Sequence, residues 1–288
     1  MLSFSIIGVD LGGTKIHVVR YDAATWEIEA EERVLTHADQ EFPRVLEDMV
    51  RIVGKLRMPG TRGVGVGVPG LVRKEDGVVL RLPNIPGGEK FPLRRELQSR
   101  LGSPVFIEND ASCFTLAEAL QGSGKGGKVV VGITLGTGVG GGIVMDGEIF
   151  HGHHGYAAEI GHMLLKPGEP PYATEDRRGD VEQFFSGTAM GKRCAQAQDP
   201  HDYLEGKVCA FMHKSIFEEV AWLCTNVSHL LDPSVIIFGG SAGHALKPHL
   251  PKVVEELRHW MLPGTPLPRL AIAELKDAAA RGAAMLVS

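Results

Sequence analysis

From Ile6 to Lys15 the chain reads IIGVDLGGTK, and the last six of these residues are the kind that meet phosphate. Gly12 and Gly13 have no side chains, so backbone N–H groups there can approach an anion closely. Thr14 adds a hydroxyl and Lys15 a positive charge. Asp10, at the end of the apolar run, is placed to hold a magnesium ion through water, because magnesium keeps several waters and takes one or two carboxylates. An ordinary tight hairpin accounts for Gly12-Gly13 alone. Asp, two Gly, Thr and Lys in one turn are better explained by a nucleotide phosphate.

The elements that must position this turn follow from periodicity. Ile6, Ile7 and Val9 read as a buried strand, and Ile16, Val18 and Val19 resume one, so residues 6–19 form a hairpin with a glycine tip. Ile28–Leu35 reads as a third strand. Phe42, Val45, Leu46, Met49, Val53 and Leu56 recur at helical spacing over Glu41–Arg57. Gly63–Val68 alternates Gly with Val, a strand that lets another backbone come close. A helix is expected over Leu93–Leu101, then a strand over Val105–Ile107 ending in Glu108-Asn109-Asp110, then a helix over Ala111–Leu120. After a glycine-rich connector at Gln121–Lys128 comes a strand over Val129–Leu135. A glycine loop over Gly136–Gly142 follows, and then a strand over Ile143–Ile149. This second strand–turn–strand echoes residues 6–19 and predicts two related halves, each with a phosphate-facing hairpin. Beyond it, His151–Asp180 reads as irregular, Ser186–Ala197 as the start of a helical region and Ile216–Leu230 as a long helix. Val235–Phe238 is a strand ending in Gly239-Gly240, and Ala278–Leu286 a closing helix of small residues.

Several patterns carry less than they promise. Gly122–Lys128 nearly matches a P-loop, but Val129 stands where Ser or Thr should hold magnesium, and the stretch follows a helix rather than a strand. Gly136, Gly138 and Gly141 fit G-x-G-x-x-G, as do Gly65, Gly67 and Gly70, yet neither opens a helix in a βαβ unit. His151, His153 and His154, in a glycine-rich loop, read as solvated side chains.

Composition narrows the classes. The 288 residues are enough for two ordinary domains, 43% are hydrophobic, and glycine is plentiful at 37. A formal charge of −5 gives no sign of a nucleic-acid partner. Cys113, Cys194, Cys209 and Cys224 form no CxxC pair, so neither a disulfide framework nor a thiolate metal site is suggested. No apolar run reaches transmembrane length, and no cleavable leader is evident, so no membrane partner and a cytoplasmic location are expected.

The motifs GVDLGGTK, GVGVPG, IENDAS, ITLGTGVGGGIV, AAEIGH and IIFGG occur in this order along the whole chain. Together they resemble the ROK family (repressor, open reading frame, kinase) of sugar kinases. The resemblance implies an α/β protein of the actin-like ATPase (ribonuclease H-like) fold, with a nucleotide and sugar cleft between two domains. These would be a small domain over 1–120, with the C-terminal helix at about 276–288 packing on it, and a large domain over 121–275. By position, Gly12, Gly13, Thr14 and Lys15 match the first phosphate hairpin, with Asp10 near magnesium. Gly136, Thr137 and Gly138 match the second, and Gly239 and Gly240 the turn beside the adenosine. Gly70 and Asn84 match sugar-contacting loops. Asn109 matches an Asn that binds a sugar hydroxyl, and Asp110 the base. Glu159, His162 and Glu182 match further sugar contacts. A competing reading of Asp110 is the N-cap of the helix after it, a position Asp favours. That reading leaves Asn109, Glu159, His162 and Glu182 unexplained.

The implied activity is ATP-dependent hexose kinase, most naturally at O6 of glucose, another hexose or an N-acetylhexosamine, with Mg2+ as cofactor and a homodimer as the assembly. The alternative is a catalytically weak sugar-binding sensor or regulator of the same family. Repressor members carry a helix-turn-helix, and with the first strand starting almost at Met1 none is expected here. The chain also departs from the family. Where most relatives have Cys-x-Cys-Gly-x-x-Gly-Cys, which with the His of Glu-x-Gly-His holds zinc, the cysteine positions are Ala173, Glu175 and Asp180. No structural zinc is therefore expected; His162 is left to hydrogen bonds, and residues 163–180 to local packing or ion pairs of Arg177 or Arg178.

Overall fold

The computed structural model describes residues 4–287 apart from 39, 84, 198, 199 and 205. It contains two compact units. The first takes Met1–Ala117, His151–Ala157 and Lys276–Ser288, and the second Glu118–Phe150 and Ala158–Leu275.

In the first unit, β1 (Ser5–Leu11) and β2 (Lys15–Asp22) pair antiparallel, Leu11 opposite Ile16, with the Gly12–Thr14 turn between them. β3 (Ile28–Leu35) pairs antiparallel on the outer side of β2. Its half-exposed, charged sequence IEAEERVL suits an edge strand. α1 (Phe42–Leu56) buries the six apolar residues that gave it its helical period, with Pro43 in its first turn. β4 (Thr61–Val68) pairs parallel with β1. A short hairpin of β5 (Leu71–Arg73) and β6 (Val78–Arg81) follows, which the sequence reading did not anticipate. α2 (Leu93–Leu101) ends at Gly102 in the left-handed conformation. β7 (Val105–Asn109) pairs parallel with β4, and α3 (Asp110–Gln121) starts on the next residue and runs into the second unit. The sheet order is β3-β2-β1-β4-β7.

The second unit repeats the plan. β8 (Val129–Leu135) and β9 (Val139–Met145) form an antiparallel hairpin, and β10 (Glu148–Ile149) pairs on the outer side of β9. This corrects the expected glycine loop over 136–142: only 136–138 turn, because Gly140, Gly141 and Gly142 are paired in register with Thr134, Ile133 and Gly132. α4 (Val181–Phe185) and α5 (Gly187–Arg193) meet at Ser186. α6 (His213–Leu231) is the long helix. β11 (Val235–Gly239) lies parallel to β8, followed by α7 (Gly240–Ala245) and α8 (Leu250–Trp260). β12 (Arg269–Ile272) completes a sheet of order β10-β9-β8-β11-β12, the same sequence of neighbours as in the first unit. The echo in sequence is thus an echo in topology.

Glu118 is fully buried at the start of the second unit. Its carboxylate accepts from the N–H and hydroxyl of Ser123 and from the N–H groups of Glu274 and Leu275. The Gln121–Lys128 stretch is therefore a packed turn, held where the chain enters and leaves this unit, rather than a loose connector. After Leu275 the chain rejoins the first unit with α9 (Ala278–Met285), which lies against β1 and β4. The approach is backbone to backbone: a Cβ at Gly65 would fall 1.7 Å from the carbonyl oxygen of Ala283, and one at Gly8 1.9 Å from that of Ala280. Glycine in these strands is what lets the helix settle so low. Tyr21 on β2 donates to Asp277 at the helix start (2.7 Å), and Arg281 Nε donates to the same carboxylate oxygen (3.0 Å).

Cys194 and Cys209 are joined in a disulfide, while Cys113 and Cys224 are free and buried. The absence of a CxxC pair carried no information about two cysteines 15 apart that the fold brings together. Among the described residues no helix is long and apolar enough to cross a membrane.

Candidate functional site: two glycine hairpins and an Asn-Asp junction

In the first unit, the tip between β1 and β2 is closed by Gly12 N–H on Lys15 O (2.9 Å). Thr36, fully buried just past β3, braces it from behind: its hydroxyl donates to Gly12 O (2.7 Å) and its N–H to Thr14 O (3.0 Å). Thr14 and Lys15 are exposed, and nothing lies within 4 Å of where a Gly13 Cβ would be. The turn therefore presents an open face, as the phosphate role expected of it would require. Thr36 escaped sequence analysis because a lone Thr after a strand has no signature.

Asp10 sits near the end of β1, opposite His17 on β2 and Gly67 on β4. Burial first, and the charge of Asp110 second, push its carboxyl up to about 7. The carboxyls of Asp10 and Asp110 therefore feel one another inside this unit.

Asn109 and Asp110 stand at the junction of β7 and α3. Asn109 Nδ2 donates to Gly70 O (3.1 Å), and Asn109 Oδ1 accepts from Ser112 N (3.0 Å). Capping of the helix, weighed earlier as a role for Asp110, thus falls to Asn109, three residues before the N–H it satisfies. Asp110 Oδ1 accepts from the adjacent Ala111 N (2.8 Å), which is not cap geometry. Gly70 has φ +91°, and a Cβ there would lie 2.3 Å from Arg81 O, so only glycine fits the turn that offers its carbonyl to Asn109. Asn84 lies outside the described residues.

In the second unit, the tip between β8 and β9 is closed by Gly136 N–H on Gly138 O (3.0 Å). The α4–α5 corner clasps it. Glu182 Oε2 accepts from Val139 N (2.9 Å), Gly187 N donates to Gly136 O (2.7 Å), and Thr188 Oγ1 donates to Thr137 O (3.3 Å). A Cβ at Gly138 would come within 2.8 Å of Glu182 Oε2. Glu182 is therefore packed on the hairpin assigned to phosphate. The corner is anchored by a buried Arg193–Glu219 pair (2.8 Å), in which Arg193 also donates to Phe184 O (2.9 Å). Gly239 closes β11 opposite Thr134, and Gly240 (φ +77°) starts α7. Both lie beside the end of β8, next to the same hairpin.

Glu159 precedes a single 3-10 turn, Ile160–His162, which rests on β9. His162 is about half exposed, with Nδ1 3.7 Å from Asp180 Oδ2. The 163–180 segment is ordered by a local network. Asp180 caps α4 on Gln183 N, Gln183 Oε1 accepts from Gly179 N (2.7 Å), and Gln183 Nε2 donates to Asp176 O (2.7 Å). Arg178 pairs with Asp176 (2.9 Å), and Arg177 donates to Gly168 O (2.7 Å). Among the described residues no group of three His, Cys, Asp or Glu is arranged to hold a metal ion.

The site residues thus fall into two sets. Asp10, Gly12–Lys15, Gly70, Asn109 and Asp110 belong to the first unit; Gly136–Gly138, Glu159, His162, Glu182, Gly239 and Gly240 belong to the second. One expectation fails. His151 is not solvated: its Nε2 lies 2.6 Å from Glu108 Oε2, with both side chains largely buried.

Comparison with known proteins gives these halves their context. The ROK family model matches residues 6–288. An N-acetyl-D-glucosamine kinase from Photobacterium profundum is 34% identical over 97% of this chain and 98% of its own. A glucokinase from Thermotoga maritima is 30% identical over 85% and 84%. A solved structure of a ROK family glucokinase from Streptomyces griseus, in complex with glucose and AMPPNP, aligns at 29% identity with a TM-score of 0.78, covering 98% of each chain. The fold is the actin-like ATPase fold in its sugar-kinase form, and the chain belongs to the ROK family. It is a sugar kinase, a phosphotransferase with an alcohol group as acceptor.

Proposed function

We propose that this enzyme transfers the γ-phosphate of ATP to a hydroxyl, most naturally O6, of glucose, another hexose or an N-acetylhexosamine, with Asp110 as general base. The observation that carries this reading is the β7–α3 junction. Asn109 caps α3 and is held to Gly70, which fixes the backbone at the first helical residue, Asp110, where its charge reaches the carboxyl of Asp10. A positioned carboxylate can accept the hydroxyl proton as the oxygen attacks.

Phosphoryl transfer otherwise asks the protein for positioning and for neutralisation of charge. Gly12–Lys15 and Gly136–Gly138 supply turns with N–H groups, a Thr hydroxyl each and one Lys. Gly239 and Gly240 are assigned to the adenosine side. Gly70, Asn84, Asn109, Glu159, His162 and Glu182 are assigned to sugar hydroxyls. The AMPPNP and glucose in the Streptomyces griseus structure support ATP and a hexose as the pair, and the Photobacterium profundum relative supports N-acetylglucosamine as an acceptor to try first. Mg2+ fits Asp10, a carboxyl that burial and Asp110 keep from ionising easily, so a nearby cation would relieve it. When bound, Mg2+ neutralises charge on the phosphates. A cytoplasmic homodimer binding neither nucleic acid nor zinc completes the reading.

The test is a coupled assay of the purified protein with ATP or polyphosphate over a panel of hexoses and N-acetylhexosamines. Turnover of at least one sugar with ATP is expected, and mass spectrometry should place the phosphate on O6. No turnover of any sugar with ATP, alongside saturable sugar binding, would overturn catalysis in favour of a sensor.

A further inference from the structure

The His151–Glu108 pair lies outside every assigned role, and its surroundings define it closely. Glu108 directly precedes Asn109 and Asp110. One of its carboxylate oxygens accepts from Asn109 N (2.8 Å), and the other meets His151 Nε2 (2.6 Å). On the far side of the ring, His151 Nδ1 lies 3.0 Å from Lys74 Nζ. An ammonium has protons to give and no lone pair. Nδ1 must therefore accept from Lys74, which fixes His151 as the neutral tautomer with its proton on Nε2, donating to Glu108. Lys74 belongs to the turn between β5 and β6, and its carbonyl accepts from Arg94 Nη2 (2.9 Å) on α2. Lys74, His151 and Glu108 form a directional chain of hydrogen bonds that ends on the backbone of Asn109.

His151 also begins the seven-residue passage, His151–Ala157, in which the chain leaves the second unit and joins the first. The passage is closed on itself by Ala157 N–H on His151 O (3.1 Å). Gly152 (φ +68°) and Gly155 (φ +83°) make its turns. Two residues after Ala157 comes Glu159, then His162. One imidazole thus braces the strand end that carries Asn109 and Asp110, and pins the loop that leads into two further residues assigned to the sugar.

We propose that His151 is a positioning residue for the sugar acceptor, acting through a Lys74–His151–Glu108 relay that holds the Asn109–Asp110 junction in place. This rests on the sugar-kinase reading above. Losing the ring leaves a largely buried Glu108 oxygen without its donor and frees the loop, so acceptor binding should suffer while the ATP side does not.

The experiment compares wild type with His151→Ala, His151→Gln and Lys74→Met, using the panel sugar that wild type turns over fastest. For His151→Ala the KM for sugar and the calorimetric Kd for sugar should each rise on the order of tenfold, with the KM for ATP within about twofold of wild type. His151→Gln should recover much of the loss, because its amide N–H can still reach Glu108. In 15N-histidine spectra at pH 7.5, the signals lost in His151→Gln should be those of a ring protonated at Nε2 and bare at Nδ1, and Lys74→Met should move them. An unchanged sugar KM, sugar and ATP KM rising together with a fallen melting temperature, or a proton on Nδ1 would overturn the proposal. Where His151→Ala does not fold, the Gln and Met variants and the spectra decide alone. Should wild type turn over no sugar, the kinase reading fails, and the spectra still judge the relay.

Discussion

Asp110→Asn removes the proton acceptor and its charge while keeping nearly the same shape. Positioned general bases contribute about 10²–10⁴-fold. The variant should lose that much or more in kcat, with sugar affinity by calorimetry within a few-fold of wild type. Near-normal turnover would leave Asp110 without the role proposed for it. Asp10 gives a different signature, because its carboxyl is pushed from 3.8 up to about 7 by burial and by Asp110. A raised carboxyl favours the folded state fully only below the unfolded value near 4, and that advantage is lost as pH rises through 7. Ligand-free wild type should therefore fall in Tm from pH 5 to pH 8 relative to Asp10→Asn, with the variant the more stable protein at pH 8. Parallel pH–Tm curves for the two would refute the assignment of the shift.

At the scale of elements, the disulfide makes the sharpest claim. A crosslink closing a loop of about 15 residues is worth roughly 3 kcal/mol by loop-closure entropy. Reductant should lower the Tm of the native protein, and thiol titration in denaturant without reductant should find two thiols per chain, Cys113 and Cys224; four would show that the bond does not form. The elements also show what a sequence can disclose. The two glycine hairpins were legible because apolar alternation stops at a Gly/Thr turn and then restarts, a local signal. The α1 helix was legible from six apolar residues at helical spacing. The β5–β6 hairpin was not, because its strands are three and four residues long and their burial depends on neighbours elsewhere in the chain. The clasp of Glu182 on Val139, the brace of Thr36 on Gly12 and the role of His151 join residues 24 to 43 positions apart. No spacing rule reaches that far. The motif resemblance assigned Glu182 to the sugar and gave no sign of its contact with Val139.

At the scale of the whole molecule, two sheets with the same order of neighbours explain why one motif grammar, strand, glycine turn, strand, appears twice. The first unit depends on α9, which follows the second unit in sequence. Gly65→Ala would drive a methyl into the Ala283 carbonyl, and since neither backbone can yield locally, α9 must lift. Overpacking of this kind costs about 1–3 kcal/mol. A urea titration should show that loss, and hydrogen exchange should rise in β1, β4 and α9 while the β8–β9 hairpin keeps its protection. Equal loosening of both units would count against independent packing of this seam.

That seam sets a timetable for biosynthesis. The strands that α9 covers are translated early, whereas the helix itself emerges roughly 160 residues after Ala117, where the first segment of its unit ends, on the order of 10–30 s at ribosomal rates. Throughout that interval the glycine-lined face of β1 and β4 has no lid, even as the second unit is completed behind it. Nascent chains arrested before Ala278 should therefore be sensitive to protease in residues 5–68, and chains in which Ala278–Met285 has emerged should lose that sensitivity. The first unit becomes complete only when α9 has been made and closes the sheet that was translated first.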